Sequence, residues 1–237
     1  MRRPNTHHRA ARRALFALIP LVLGIAGWQW LQNHPEHNPW APLDLNHPPG
    51  WATRAKLTAL RDDVAECRAV LERSAVAFTA LDPAGEGECA RPDRTRLGDY
   101  PLAPDTPPVT CPVAIALELW RRDSVVPAAR SILGSDIARI EHLGAFSCRR
   151  MYGASEGRWS EHATGNAIDI AAFVLESGRR ISVLRDWEGD DDEALFLRTV
   201  RDGACDSFAT VLSPEYNAAH ADHFHLDQDS RWTGVCR

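Results

Sequence analysis

The sequence lacks several patterns that would place it in a common protein class. Its six cysteines are widely spaced and include no Cys-x-x-Cys pair, which argues against a zinc ribbon and against a redox dithiol. It contains no His-Glu-x-x-His helix and no Gly-x-Ser-x-Gly turn, so neither a zincin-type protease nor a serine hydrolase is indicated. It also has no internal repeat. These absences leave a globular chain whose chemistry must come from other residues.

Basic residues are concentrated at the N-terminus. The formal net charge is -5, and without the five arginines that precede residue 14 the remainder is near -10. An acidic domain repels the phosphates of nucleic acids unless it carries a local basic stripe, and the sequence has none. The composition therefore predicts no nucleic-acid partner and suits a neutral or cationic ligand better.

The first 31 residues have the composition of an export segment. Arginines precede an uncharged, mostly apolar run at residues 14–31, which ends near Trp28 and Trp30. Tryptophans suit a membrane interface, whereas a cleaved signal peptide should end in a small-x-small site. The pattern favours a basic cytoplasmic tail at 1–13 and an uncleaved membrane anchor at 14–31 over a cleaved signal. By the positive-inside rule, the chain after the anchor is exported.

All six cysteines follow the export segment and would therefore lie in an oxidising compartment. Their dispersed spacing indicates three structural disulfides. Pairing of sequence neighbours suggests Cys67–Cys89, Cys111–Cys148 and Cys205–Cys236.

After the anchor, a proline-rich linker at 32–52 leads into one domain at 53–237. Apolar residues at intervals of three and four predict helices, and short β-branched runs bounded by turn residues predict strands. The acidic run at 187–193 lacks EF-hand spacing and is predicted to cap the following helix. Segregated helices and strands favour an α+β fold, with a small antiparallel sheet flanked by helices and an N-terminal anchor helix. Helices are predicted at 53–73, 112–120, 127–133 and 193–201, a loop at 91–110, and strands at 75–81, 137–148, 167–175, 181–184, 208–212 and 222–227.

One stretch carries the first candidate metal ligands. His162 and Asp169 lie seven positions apart, so a straight strand cannot present both on one face. The spacing predicts a turn that carries His162 and an apolar strand that carries Asp169. A buried carboxylate needs a partner that compensates its desolvation, and a metal ion is one of the few strong enough.

A second cluster lies near the C-terminus. His223 and His225 are two positions apart and share one face of an extended strand, with His220 close by. Imidazoles and a carboxylate are ligands that zinc accepts, and three of them leave the open position of a zinc hydrolase. We assign His162, Asp169 and His225 as the ligands of one Zn²⁺.

The remaining polar residues of the cluster have other predicted roles. His223, outside the ligand set, is the best candidate for proton transfer or oxyanion stabilisation, with His220 as a neighbour. Asp222 is predicted to orient a histidine by accepting its N–H. The His220-x-Asp222 pair also resembles the start of an iron facial triad, but no later histidine follows His225 to complete one.

These motifs together resemble a known zinc site. Ser-x-His-x-x-Gly-x-Ala-x-Asp at 160–169, followed by His-x-His at 223–225, is similar to the site of one peptidase superfamily. That superfamily unites lysostaphin-type enzymes, D-alanyl-D-alanine peptidases and hedgehog signalling domains. Within it, residues 42–45, 144–149, 160–173 and 203–227 resemble the extensin-like C-terminal domain family of bacterial envelope proteins. The likeness covers about residues 40–237.

The resemblance implies the same ligands as the spacing, His162, Asp169 and His225, and it implies a catalytic role for His223. It also matches Ser160 to the serine that stands two residues before the first ligand. We expect Ser160 to support the ligands from outside the metal's coordination shell.

Arg149 corresponds to the arginine that D-alanyl-D-alanine peptidases carry near the substrate, so it is expected to bind a peptide carboxylate or polarise a carbonyl. One departure is informative. The carboxypeptidases and dipeptidases carry a catalytic glutamate just before the final histidine, and no glutamate stands there in this chain. The pattern His220-x-x-His223-x-His225 is instead similar to penicillin-insensitive murein endopeptidases, which favours an endopeptidase.

The sequence therefore predicts a zinc-dependent peptidoglycan peptidase, a DD-endopeptidase or related amide hydrolase that acts on cell-wall peptides. It would be a single-pass inner-membrane protein with a periplasmic domain, or a secreted periplasmic protein if the signal is cleaved. The alternative is a non-catalytic, zinc-containing binding or scaffold module of the cell envelope, as hedgehog-type relatives suggest. Zinc-dependent cleavage of another polymer or of a protein is a third hypothesis.

Overall fold

The computed structural model describes residues 6–231 and 234–237, with side chains from residue 16 onward. The predicted basic tail and the first two residues of the predicted anchor therefore lie outside the residues whose side chains are described. Within the described part of the chain, no helix combines the length and the apolar character needed to cross a bilayer. Many apolar side chains of the first helix are exposed, for example Phe16 at 71% and Leu23 at 66%.

The described part of the chain contains seven α-helices. The predicted helix at 53–73 is divided, because Asp63 leaves helical geometry and caps the second part by accepting the Glu66 N–H at 2.9 Å. A π-helical turn at Arg121–Val125 joins the fourth and fifth helices. The helices are α1 (Thr6–Asn33), α2 (Thr53–Ala59), α3 (Val64–Arg73), α4 (Cys111–Trp120), α5 (Val126–Leu133), α6 (Val183–Asp186) and α7 (Asp192–Ala204).

The described strands are β1 (Phe78–Ala80), β2 (Thr95–Leu97), β3 (Leu102–Ala103), β4 (Ile137–Gly144), β5 (Ala167–Leu175), β6 (Arg180–Ser182), β7 (Thr210–Leu212), β8 (Phe224–Asp227) and β9 (Val235–Cys236). The first two form a separate antiparallel ribbon. The other seven form one sheet in the order β3-β4-β5-β8-β7-β9, and β6 pairs with β5 beside β8. The long strand β5 is therefore the centre of the sheet.

The α+β class is confirmed, but the sheet is larger than the small antiparallel one that the sequence predicts. It is mixed, since β3 runs parallel to β4 and β9 runs parallel to β7. Each of these two edge strands has only two residues, which is too short for side-chain alternation to show in the sequence. The strand β3 also lies within residues 91–110, which are predicted as a loop.

The main core packs α4 and α7 against β5. In α4 every residue except Glu118 is buried. The Trp120 ring meets the Phe173 ring edge-on with centroids 5.8 Å apart, and its indole N–H donates to the Val200 carbonyl at 2.7 Å. Phe173 in turn meets Phe196 edge-on at 5.1 Å. These contacts hold β5, the strand that carries Asp169, between the helices and its neighbouring strands.

Part of the proline-rich segment also belongs to the packed structure. Leu43 and Leu45 are buried in the main core, and the Leu45 N–H donates to the Ser74 hydroxyl at 2.9 Å. The domain core therefore includes side chains from before residue 53.

The prediction of three disulfides is confirmed, and the bonds are Cys67–Cys111, Cys89–Cys148 and Cys205–Cys236. The last pairing is as expected from sequence neighbours. The expected Cys67–Cys89 and Cys111–Cys148 pairings are wrong, because α3 packs on α4 and brings Cys67 to Cys111. Spatial proximity here depends on helix packing and not on distance along the chain.

Candidate functional site

Two paired strands and one turn bring the predicted ligands together. In the β5–β8 ladder Asp169 lies directly opposite His225, and such cross-strand neighbours present their side chains on the same face. His162 lies in the short 3₁₀ turn Glu161–Ala163, just before β5. Gly165 then reverses the chain into the strand with a φ of +75°, a conformation that glycine adopts without steric cost.

The ligand atoms of these three residues converge on one point. His162 Nε2 lies 3.2 Å from Asp169 Oδ1 and 3.1 Å from His225 Nδ1, and 3.0 Å separates the last two atoms. Tetrahedral zinc ligands at about 2.05 Å from the metal would lie about 3.3 Å from one another. The three residues thus form a group that could hold a metal ion.

The outer nitrogen of each histidine ring is already engaged. His162 Nδ1 lies 3.2 Å from the Ala145 carbonyl, and His225 Nε2 lies 3.0 Å from Asp227 Oδ2. Because both partners are oxygen acceptors, the outer nitrogens carry the protons and donate, which leaves lone pairs on the inner nitrogens of the neutral rings. Three inward lone pairs repel one another unless positive charge lies among them. The donor set therefore fits Zn²⁺.

The pKa values of Asp169 and His225 also favour positive charge among these residues. Burial alone raises the pKa of Asp169, but hydrogen bonds from His162 and His225 outweigh it and hold that pKa well below its ordinary value. Burial alone lowers the pKa of His225, but its bonds to Asp169 and Asp227 outweigh burial and raise the pKa to about 9. When His225 is protonated, its Nδ1–H faces Asp169 and its Nε2–H faces Asp227.

Two further histidines stand beside the ligands. His223 Nε2 lies 3.5 Å from Asp169 Oδ1, and its Nδ1 lies 2.7 Å from Asp222 Oδ1. Asp222 thus contacts His223, a histidine outside the predicted ligand set. The ring of His220 lies 5.3 Å from the ring of His223, and burial, together with the charges of the neighbouring histidines, lowers the pKa of His220 to about 4.

Ser160 and Arg149 lie in the wall of the same cleft, which has a volume of about 810 Å³. The Ser160 hydroxyl accepts the His162 N–H at 3.3 Å, and its own N–H donates to the Arg149 carbonyl at 3.1 Å. Ser160 therefore shapes the turn that presents His162. The Arg149 side chain is exposed, and its guanidinium forms no hydrogen bond or ion pair with the described residues.

The structure adds two side chains that the sequence reading missed. Asp227 anchors His225, and strand alternation could have identified it, since it stands two residues after that histidine on the same face. Asn217 contacts the His220 ring from an irregular turn. No periodicity in the sequence marks Asn217.

Residues 65–237, most of the chain, match the family described as extensin-like protein C-terminus. No curated protein and no solved structure matches the chain.

We expect the chain to bind one Zn²⁺, and His162→Ala or Asp169→Asn to weaken binding by more than about 100-fold, because each removes a ligand. Asp227→Asn should weaken it about 10- to 100-fold, since the anchor of His225 loses its charge. Metal content by mass spectrometry and competition with a chromogenic chelator measure both effects. His142→Ala is the matched control, since this buried histidine instead contacts the Asp105 carbonyl. Equal zinc affinity in all four variants would contradict the assignment.

Zinc affinity should rise with pH. His225 must lose its proton to bind a metal, and its raised pKa of about 9 keeps the proton in place through neutral pH. One displaced proton makes apparent affinity rise on the order of tenfold per pH unit up to about that pKa. Chelator competition between about pH 6 and 8.5 tests this. Affinity that is flat or falls over this range would show that no such proton competes.

Proposed function

Because the chain belongs to the extensin-like protein C-terminus family, we propose that it is a zinc-dependent peptidase that cleaves an amide bond in peptidoglycan cross-links. The observation that carries the proposal is the convergence of His162 Nε2, Asp169 Oδ1 and His225 Nδ1 within 3.0–3.2 Å of one another. The ligand spacing adds support, since it resembles that of the lysostaphin and D-alanyl-D-alanine peptidase superfamily.

The three converging residues would hold the metal, and Ala145 and Asp227 would fix the two imidazole rings from outside. When bound, zinc supplies the Lewis acidity that polarises a carbonyl and lowers the pKa of a water molecule to about 7. The cleft leaves one side of the ligand group accessible from solvent. A peptide can therefore reach it.

His223 would move the proton. Its Nδ1–H donates to Asp222, so the neutral ring keeps a lone pair on Nε2, the nitrogen that faces Asp169. That nitrogen can accept a proton from the attacking water and return it to the amine that leaves. The absence of a glutamate beside the final histidine leaves this work to the histidines.

Arg149 would bind the substrate. Its guanidinium lies in the cleft wall and is exposed, and the described residues satisfy none of its donors. A planar guanidinium pairs well with a carboxylate. Wall peptides carry such groups near their cross-links, which suits this position.

We also propose that the domain works in the periplasm and is tethered by α1. The exposed apolar side chains of α1 suit a lipid environment, and Trp28 and Trp30 suit its boundary with water. Three disulfides suit an oxidising compartment. Cleavage of the segment to release a soluble domain is the competing route.

Full-length, zinc-loaded protein should convert cross-linked muropeptides to uncross-linked ones, and a chelator should stop the reaction. His223→Ala should retain one zinc but lose about 100-fold or more in kcat, since it lacks the proton acceptor. Mass spectrometry of the products identifies the bond. The control is again His142→Ala, whose ring contacts the Asp105 carbonyl and none of the three ligand residues.

Protein that holds zinc yet releases no product, in the wild type as in His223→Ala, would reject the peptidase and support the scaffold alternative. Products from another envelope polymer alone would move the proposal to that substrate.

The anchor predicts that the intact chain, with residues 14–31 still present, remains in the membrane fraction after a high-salt wash. Two aspartates in the helix, Leu21→Asp with Leu23→Asp, should release it, since each acidic side chain costs several kcal/mol in the bilayer, about 2.5 to 3.5 on insertion scales. Gln32→Asp, near the end of the helix, is the control. Intact mass and fractionation measure both. A soluble chain that begins after residue 31 would establish signal cleavage instead.

A further inference from the structure

Asn217 lies beside the proposed proton-transfer histidines and has no role in the chemistry described above. It begins the short turn Ala218–His220, and its side-chain oxygen lies 2.8 Å from His220 Nδ1. We infer that Asn217 is a positioning residue that fixes His220 in the Nδ1–H tautomer, with the lone pair of Nε2 directed to the cleft. The catalytic consequence rests on the proposed peptidase function, whereas the tautomer does not.

The hydrogen bonds of the amide determine which atom faces the ring. The Ala219 backbone N–H lies 3.0 Å from the same side-chain atom of Asn217 that contacts His220. A backbone N–H can only donate, so this atom is the amide oxygen and not the nitrogen. An oxygen offers His220 no proton. His220 Nδ1 must therefore carry the hydrogen and donate it.

The other end of the amide is also held. Asn217 Nδ2 donates to the Tyr152 hydroxyl at 3.3 Å. Tyr152 stands in the cleft wall with a φ of +56°, which is unusual for a residue that is not glycine. The amide thus has a partner at both ends, and flipping it would place its NH₂ group against the Ala219 N–H. The Ala219 N–H decides the orientation, because the Tyr152 hydroxyl can either accept or donate a hydrogen bond.

The His220 ring has little freedom to escape this contact. It is 8% exposed, and Tyr216 packs edge-on against it with centroids 5.5 Å apart. The rings of His223 and His225 lie 5.3 and 5.9 Å away. His220 nevertheless lines the cleft, and with Nδ1 bound to Asn217 the nitrogen available there is Nε2. In this state the neutral imidazole offers a hydrogen-bond acceptor next to His223.

This arrangement repeats the one at His223. There Asp222 accepts the Nδ1–H, and Nε2 is left toward the ligands. Asn217 and Asp222 therefore each accept the Nδ1–H of one histidine and leave its Nε2 without a proton. The Nε2 of His220 would then offer a hydrogen-bond acceptor beside His223, and this contact would help to hold the His223 ring in place.

The test reads the tautomer directly. Full-length, zinc-loaded protein with ¹⁵N-labelled histidine is studied by long-range ¹H–¹⁵N correlation of the imidazole nitrogens, and His220→Gln assigns the signals. We expect wild-type His220 to carry its proton on Nδ1. Asn217→Leu, which removes the acceptor, should shift most of the population to the Nε2–H form. Asn217→Asp, which keeps an oxygen, should retain Nδ1–H, as should Tyr152→Phe.

A wild-type spectrum with the proton on Nε2, or an Asn217→Leu spectrum that equals wild type, would overturn the inference. The wild-type reading does so even if the leucine variant fails to fold. In muropeptide turnover, Asn217→Leu should lose about 10- to 100-fold in kcat with little change in KM, and Asn217→Asp should recover most of it. Equal loss in both variants would leave Asn217 as a structural cap and contradict a positioning role. An inactive wild type would reject the peptidase but leave the tautomer result standing.

Discussion

The pairing of Asp169 with His225 across β5 and β8 is the constraint on which the site depends. A shift of one residue in that register would place the two side chains on opposite faces of the sheet. The register is held by the core on the other side, where Trp120 and Phe173 pack the central strand against the helices. Packing far from the cleft thereby determines whether the ligand atoms meet.

Four hydrogen-bond acceptors around the converging atoms orient the histidine rings of the site. The Ala145 carbonyl, Asp227, Asp222 and Asn217 each accept a hydrogen from the far side of one histidine. All four contacts have the same effect, since each leaves the other nitrogen of a neutral ring without a proton. Such shells matter because an imidazole that turns or exchanges its tautomer presents a donor where an acceptor is needed.

Local geometry made it possible to predict from the sequence which candidate ligands converge. Contacts between distant segments could not be predicted in this way. Alternation along a strand pairs His223 with His225, and the seven-residue gap between His162 and Asp169 requires a turn. No local rule could pair Cys67 with Cys111, because that bond depends on how α3 lies on α4. The two-residue edge strands could not be predicted from the sequence either, because only pairing with neighbouring strands defines them.

The raised pKa of His225, whose two ring nitrogens face Asp169 and Asp227, bears on how the protein folds before any metal is bound. A protonated His225 offsets one of the two negative charges of Asp169 and Asp227, which lessens the repulsion between these carboxylates when no metal is bound. Folding and metal acquisition can then be separate events, unlike those of small zinc domains that collapse only around their ion. On the zinc proposal, entry of the metal would replace the extra proton of His225 within a framework that is already folded.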